Sequence, residues 1–84
     1  MRNKIYMATN NMFAKTFPYI DQWVEEQGWI EIGSDENSDS LVRAIDTGGL
    51  VWESDGQHQT IDGALLALEQ FLISWFQETN KSLL

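Results

Sequence analysis

The chain has 84 residues, 43% of them hydrophobic, enough for a single domain with one packed core spanning residues 1–84. It has no cysteine, which removes disulfides, thiolate metal sites, iron–sulfur clusters and cysteine nucleophiles, and favours a reducing compartment. The net charge is −8 and unevenly spread: between residues 16 and 80 Arg43 stands alone against all thirteen acids, so neither a nucleic-acid backbone nor an anionic membrane is an expected direct partner.

The N-terminal stretch "MRNKIYMATNNMFAK" has no apolar run of signal-peptide length, and residues 1–12 are expected to fray. Within it "KIYMA" could form a short edge strand, and "TNNMF" reads as a turn. The longest apolar-rich stretch, Ala64 to Phe76, is interrupted by Glu69, Gln70 and Ser74 and is too short and polar to span a bilayer. A soluble, cytoplasmic protein is the expectation.

Pro18 suits a first helical turn, and Thr16 just before it is placed to cap. Ile20, Trp23, Val24 and Gln27 then recur at helical spacing, predicting a helix over about residues 17–27. Gly28 reads as the left-handed residue that ends it, with Trp29 folding back onto Val24.

Three short β-rich runs follow: "WIEI" at 29–32, "LVRAID" at 41–46 and "LVWES" at 50–54. The second and third are joined by Thr47-Gly48-Gly49, whose glycines suit a tight hairpin and force antiparallel pairing. Alternation sets Leu50 and Trp52 on one face and Val51 and Glu53 on the other. In the middle run Leu41, Arg43 and Ile45 oppose Val42, Ala44 and Asp46, and neither face is apolar enough to name the buried one.

Thr60 is a good N-cap, and Asp62 falls in the first turn of a helix predicted at about residues 61–78. Ile61, Ala64, Leu65, Leu68, Phe71, Leu72, Trp75 and Phe76 fall within a sector of about 140° on that helix. The order helix, three-stranded antiparallel meander, long C-terminal helix predicts an α+β two-layer sandwich.

The most chemically loaded segment is "GSDENSDS", residues 33–40. Asp35, Asn37 and Asp39 stand where a calcium loop carries its first three ligands, and Asp46 stands at position 12. Ser40, however, occupies the position that wants glycine, position 12 is not glutamate, and both flanks read as strands rather than helices. Asp, Asn, Ser and Gly are also turn formers, so the segment reads as a β-connection and no metal or other cofactor is expected.

His58 is the only histidine and lies in a polar loop near Asp55 and Asp62, with no second histidine or cysteine to form a nucleophilic pair. No Gly-rich phosphate loop precedes a helix. The residues therefore do not point to an enzyme and supply no catalytic candidate. The four tryptophans, Trp23, Trp29, Trp52 and Trp75, lack the basic groove that base stacking requires. Trp23 and Trp75 sit at core positions of their helices, while Trp29 and Trp52 become binding anchors only if the sheet exposes them.

One pair departs from the amphipathic pattern. Leu66 and Ile73 lie outside the apolar sector, seven residues apart on one line, with Glu69 and Glu78 nearby in the sequence. Either the last helix is covered on two sides, or this line is a contact seam for a protein partner or a weak homodimer. The functional expectation is a small acidic protein–protein interaction or regulatory module. The alternative is an acidic nucleic-acid mimic that inhibits a basic protein.

The "GW-I-I" strand start, the "SDSLVRAID-GGLVWES" hairpin and the "DGALLALE" helix start together resemble a family of short, uncharacterised cyanobacterial proteins over about residues 20–77. That family has no assigned activity, so the resemblance implies a shared fold and carries no functional residue onto this chain.

Overall fold

The computed structural model describes residues 12–34, 39–56 and 60–79. The candidate strand "KIYMA" lies outside them. In chain order the elements are α1 (Met12–Thr16), α2 (Pro18–Glu26), β1 (Gly28–Ile32), β2 (Val42–Asp46), β3 (Gly49–Glu53) and α3 (Ile61–Glu78). The three strands form one antiparallel sheet in the order β1-β2-β3. The architecture is the α+β one expected, with α1 added from Met12; of the expected "TNNMF" turn only Met12 and Phe13 are among the described residues, and both lie in α1.

Proline separates the first two helices. A residue that precedes proline is pushed out of helical angles, and Phe17 adopts φ −129° and ψ 67°. Its N–H still donates to the Phe13 carbonyl at 2.7 Å, and its own carbonyl accepts from Asp21 N–H at 3.0 Å, so the chain bends without losing these bonds. Thr16 does not cap α2: it is the last residue of α1, where its hydroxyl donates to the Met12 carbonyl, and Phe17 takes the cap position.

At the other end of α2, Gly28 is not the left-handed residue the sequence suggested. Gln27 closes the helix by donating to the Trp23 carbonyl at 2.9 Å, and Gly28 is already the first residue of β1. Glycine is required there by proximity: a Cβ at Gly28 would overlap the Ile45 carbonyl oxygen of the neighbouring strand. Trp29 is held to α2 through its backbone, its carbonyl accepting from Trp23 Nε1 at 3.0 Å.

The register decides the buried face. Ile30 lies opposite Ala44 and Ile32 opposite Val42, and Ile30, Val42 and Ala44 have no exposed surface. Trp29, Glu31, Arg43 and Ile45 point the other way. Between β2 and β3 the register shifts: Ala44 pairs with Trp52 but Ile45 pairs with Leu50, leaving Val51 as an extra residue. This bulge overrides simple alternation. Trp52 joins the inner face and stacks on Phe71 at 6.1 Å, while Leu50 turns outward and is 56% exposed. The Thr47-Gly48 turn is braced by Asp46, whose carboxylate accepts from Gly48 N–H at 2.8 Å, and of the two glycines only Gly49 takes a positive φ.

The long helix begins where expected, with Thr60 Oγ1 accepting from Gly63 N–H at 3.1 Å. Ala64, Leu65, Leu68, Leu72 and Phe76 are buried with Ile20 and Trp23 of α2 and with the inner face of the sheet. Each fully buried leucine or phenylalanine contributes about 1.5–3 kcal/mol. Trp23 and Trp75 meet edge to face at 5.1 Å, and Trp75 and Phe76 do so at 5.0 Å. Ile61, placed in the core by periodicity, is the first residue of α3 and is 44% exposed. No helix among the described residues is long and apolar enough to cross a membrane.

Candidate functional site

Strands flank the 33–40 loop on both sides, and Arg43 closes its base. Gly33, at φ +116°, turns the chain out of β1 while its N–H donates to the Leu41 carbonyl at 2.7 Å. From β2, Arg43 reaches back with its whole guanidinium. Nη2 donates to the Gly33 carbonyl at 2.6 Å, and Nη1 donates to the Ser40 carbonyl and hydroxyl at 2.9 and 3.0 Å. Nε meets Glu31 at 3.4 Å. The rigid fork of arginine suits this multi-point closure, which a lysine would not reproduce.

A second closure lies beside it. Ser54 is buried, and its hydroxyl oxygen accepts from both Leu41 N–H at 2.9 Å and Val42 N–H at 3.2 Å. Asp39 sits against Gly56, where any Cβ would meet its carboxylate at 2.9 Å. The two loops at this end of the sheet therefore pack on each other.

The calcium-loop ligands are only partly described: Asp35 and Asn37 lie outside the described residues, as does His58. Asp39 and Asp46 are described. Asp39 lies three residues before β2 and Asp46 is its last residue, at the far end of five extended residues that span about 13 Å, and Asp46 is engaged with the hairpin turn. Among the described residues no three acidic, histidine or cysteine side chains converge as metal ligands.

On α3, burial falls off steadily around the helix. Phe76 is fully buried, Glu69 is 7% exposed, Ile73 is half-buried, and Leu66 is 54% exposed. The line formed by Leu66 and Ile73 thus runs along the margin of the covered arc, with Leu66 its outward member. Gln70 and Ser74, both exposed, border it. The tryptophans are distributed differently: Trp23 is fully buried, and Trp29, Trp52 and Trp75 are half-buried.

Glu69 is the residue that sequence reading missed. Its carboxylate does not flank a surface line but turns into the interface with α2. Oε2 accepts from Tyr19 N–H at 2.9 Å and Oε1 from Ile20 N–H at 3.0 Å. The Phe17 position before Pro18 has no side-chain cap, so a carboxylate about fifty residues away satisfies two of the unpaired N–H groups of α2. Negative charge also suits the N-terminal end of a helix dipole. Burial raises the Glu69 pKa above 4.5, opposed by the two N–H bonds. The uncapped residue before Pro18 was the available signal, but nothing in the sequence indicated which distant acid would answer it.

The chain has no significant match to any family model, curated protein or solved structure. None of these comparisons bears on the resemblance to the cyanobacterial proteins.

Proposed function

We propose that this protein is a small acidic protein–protein interaction module that makes contact through the outer margin of α3. The observation that carries this reading is Leu66: it is 54% exposed, on the same line as half-buried Ile73, in a helix whose other mid-length aliphatic residues are covered. The partner is a protein surface with an apolar patch. A second copy of the chain is the first one to test, by antiparallel pairing of α3 about a two-fold axis.

Because Glu69 is directed into the α2 interface, it would not add to repulsion across such a pairing; the exposed Glu78 would. One exposed leucine and part of an isoleucine fall far below the roughly 800 Å² per partner of a stable interface, so the association would be weak. The reading places the protein in the cytoplasm, in line with its lack of cysteine. A nucleic-acid mimic has less support, because the described acids are dispersed over α2, α3, all three strands and the loops rather than gathered in one phosphate-like row. No catalytic role is proposed.

Sedimentation velocity across a concentration series tests the seam. The wild type should show weak, concentration-dependent association that is lost when Leu66 and Ile73 are both replaced by Gln, with the circular dichroism unchanged. A wild type that stays monomeric at millimolar concentration removes the homodimer.

A further inference from the structure

Glu69 is the one described acid buried within the core, and among the described residues no cation accompanies it. Its polar surroundings are two backbone N–H groups, of Tyr19 and Ile20, at the start of α2. The charged form is therefore held by two dipoles against the loss of its water. A buried carboxylate with no ion-pair partner is expensive, and opening the α2–α3 contact would rehydrate it. The protonated form has little to gain from rehydration.

We propose that Glu69 is a proton-operated latch between α2 and α3: the neutral carboxyl holds α1 and α2 closed against α3, and the carboxylate loosens them. The raised pKa agrees with this direction, burial outweighing the two N–H bonds. A group that binds its proton more tightly in the closed state favours closure as pH falls.

The neighbouring charges do not supply an alternative switch. The elements packed against α3 are α2, β2 and, through Trp52 on Phe71, β3, whose titratable group is the exposed Glu53. On α2 the titratable groups are Tyr19, whose ring lies on Phe76 at 5.9 Å, and Asp21, Glu25 and Glu26. On β2 they are Arg43, engaged with the 33–40 loop, and Asp46, engaged with the hairpin turn. Asp62 and Glu78 lie at the two ends of α3, and α1 carries Lys15. None of them is among the causes of the Glu69 shift, which are burial and the two backbone N–H groups.

The test is amide hydrogen exchange read by NMR from pH 4 to 8, corrected for the intrinsic rate, together with a carbon-13 titration of the Glu69 carboxyl. Protection of Tyr19 and Ile20 should fall as pH rises through the Glu69 midpoint. The fall should be about tenfold for each unit by which that midpoint exceeds the value in the open state. Protection of Val42 and Ala44 should not follow, and Glu69→Gln should abolish the pH dependence. The proposal is overturned if the Glu69 midpoint is ordinary or low, if α2 and β2 amides lose protection together, or if the Gln variant keeps the same profile. Should that variant fail to fold, the wild-type midpoint and the α2-against-β2 comparison decide the matter on their own.

Discussion

Arg43 Nη2 lies 2.6 Å from the carbonyl oxygen of Gly33, ten residues earlier in the chain, and the same guanidinium holds Ser40 at the far side of the loop between them. The lone basic residue of the acidic body is thus committed to closing "GSDENSDS" into a β-connection. Replacing it with Met leaves the Gly33 and Ser40 carbonyls without this donor, and hydrogen bonds to a charged group contribute roughly 1.5–3 kcal/mol. Arg43→Met should lower stability by about 1–3 kcal/mol in urea unfolding. Arg43→Lys should recover only part of it, since one ammonium cannot span Gly33, Ser40 and Glu31. Equal stability of all three proteins would show that the fork is idle.

Glu69→Ala should cost about 2–4 kcal/mol. It leaves two N–H groups at the start of α2 unsatisfied, one of them fully buried, and opens a cavity beneath Tyr19 and Ile20. For a chain of this length each kcal/mol corresponds to about 4–8 °C in Tm, so calorimetry resolves the effect. A shift under 2 °C would mean that water caps α2 as well as the carboxylate does.

The same residue fixes the sign of a pH effect on global stability. Its folded pKa is raised above 4.5, so the proton is bound more tightly folded than unfolded. Its contribution is fully present below about pH 4.5 and is lost as pH rises through the raised folded value. Wild type minus Glu69→Gln stability, measured by urea unfolding at intervals between pH 4 and 8, should decline over that window. A difference that grows with pH would reverse the assignment.

Two glycines should respond in a definite order. Gly28→Ala drives a Cβ into the backbone carbonyl of Ile45, which cannot rotate away, and should cost at least about 3 kcal/mol or break the β1–β2 pairing. Gly33→Ala meets no atom within 4 Å but must hold φ +116°, a strain of about 1–3 kcal/mol. Finding Gly28→Ala the milder of the two would refute the close approach.

Leu66 and Leu68 are two positions apart and should differ in kind. Leu68 has no exposed surface, and Leu68→Ala should cost about 2–5 kcal/mol. Leu66→Gln should change monomer stability by no more than about 0.5 kcal/mol. If Leu66→Gln unfolds the chain, the residue belongs to the core and the proposed seam is lost.

The local elements were legible in the sequence because each announces itself through neighbours. Pro18 and the spacing of Ile20, Trp23 and Val24 mark α2, Thr60 and the apolar sector mark α3, and Thr47-Gly48-Gly49 marks the hairpin. These are properties of a few residues and their periods, and they led directly to the α+β order. What the residues could not reveal was how those elements meet. The bulge at Val51, which parts Leu50 from Trp52, arises from the pairing of two strands. The need for glycine at position 28 comes from a carbonyl seventeen residues on, and the cap of α2 comes from Glu69, forty-nine residues beyond Ile20. Hydrogen-bond satisfaction and steric overlap act between atoms that only the closed fold brings within about 3 Å. The chain alone therefore marked α2, the three strands and α3, though not α1, and tertiary contact decided which face of the sheet is buried, which acid is covered and which leucines remain exposed.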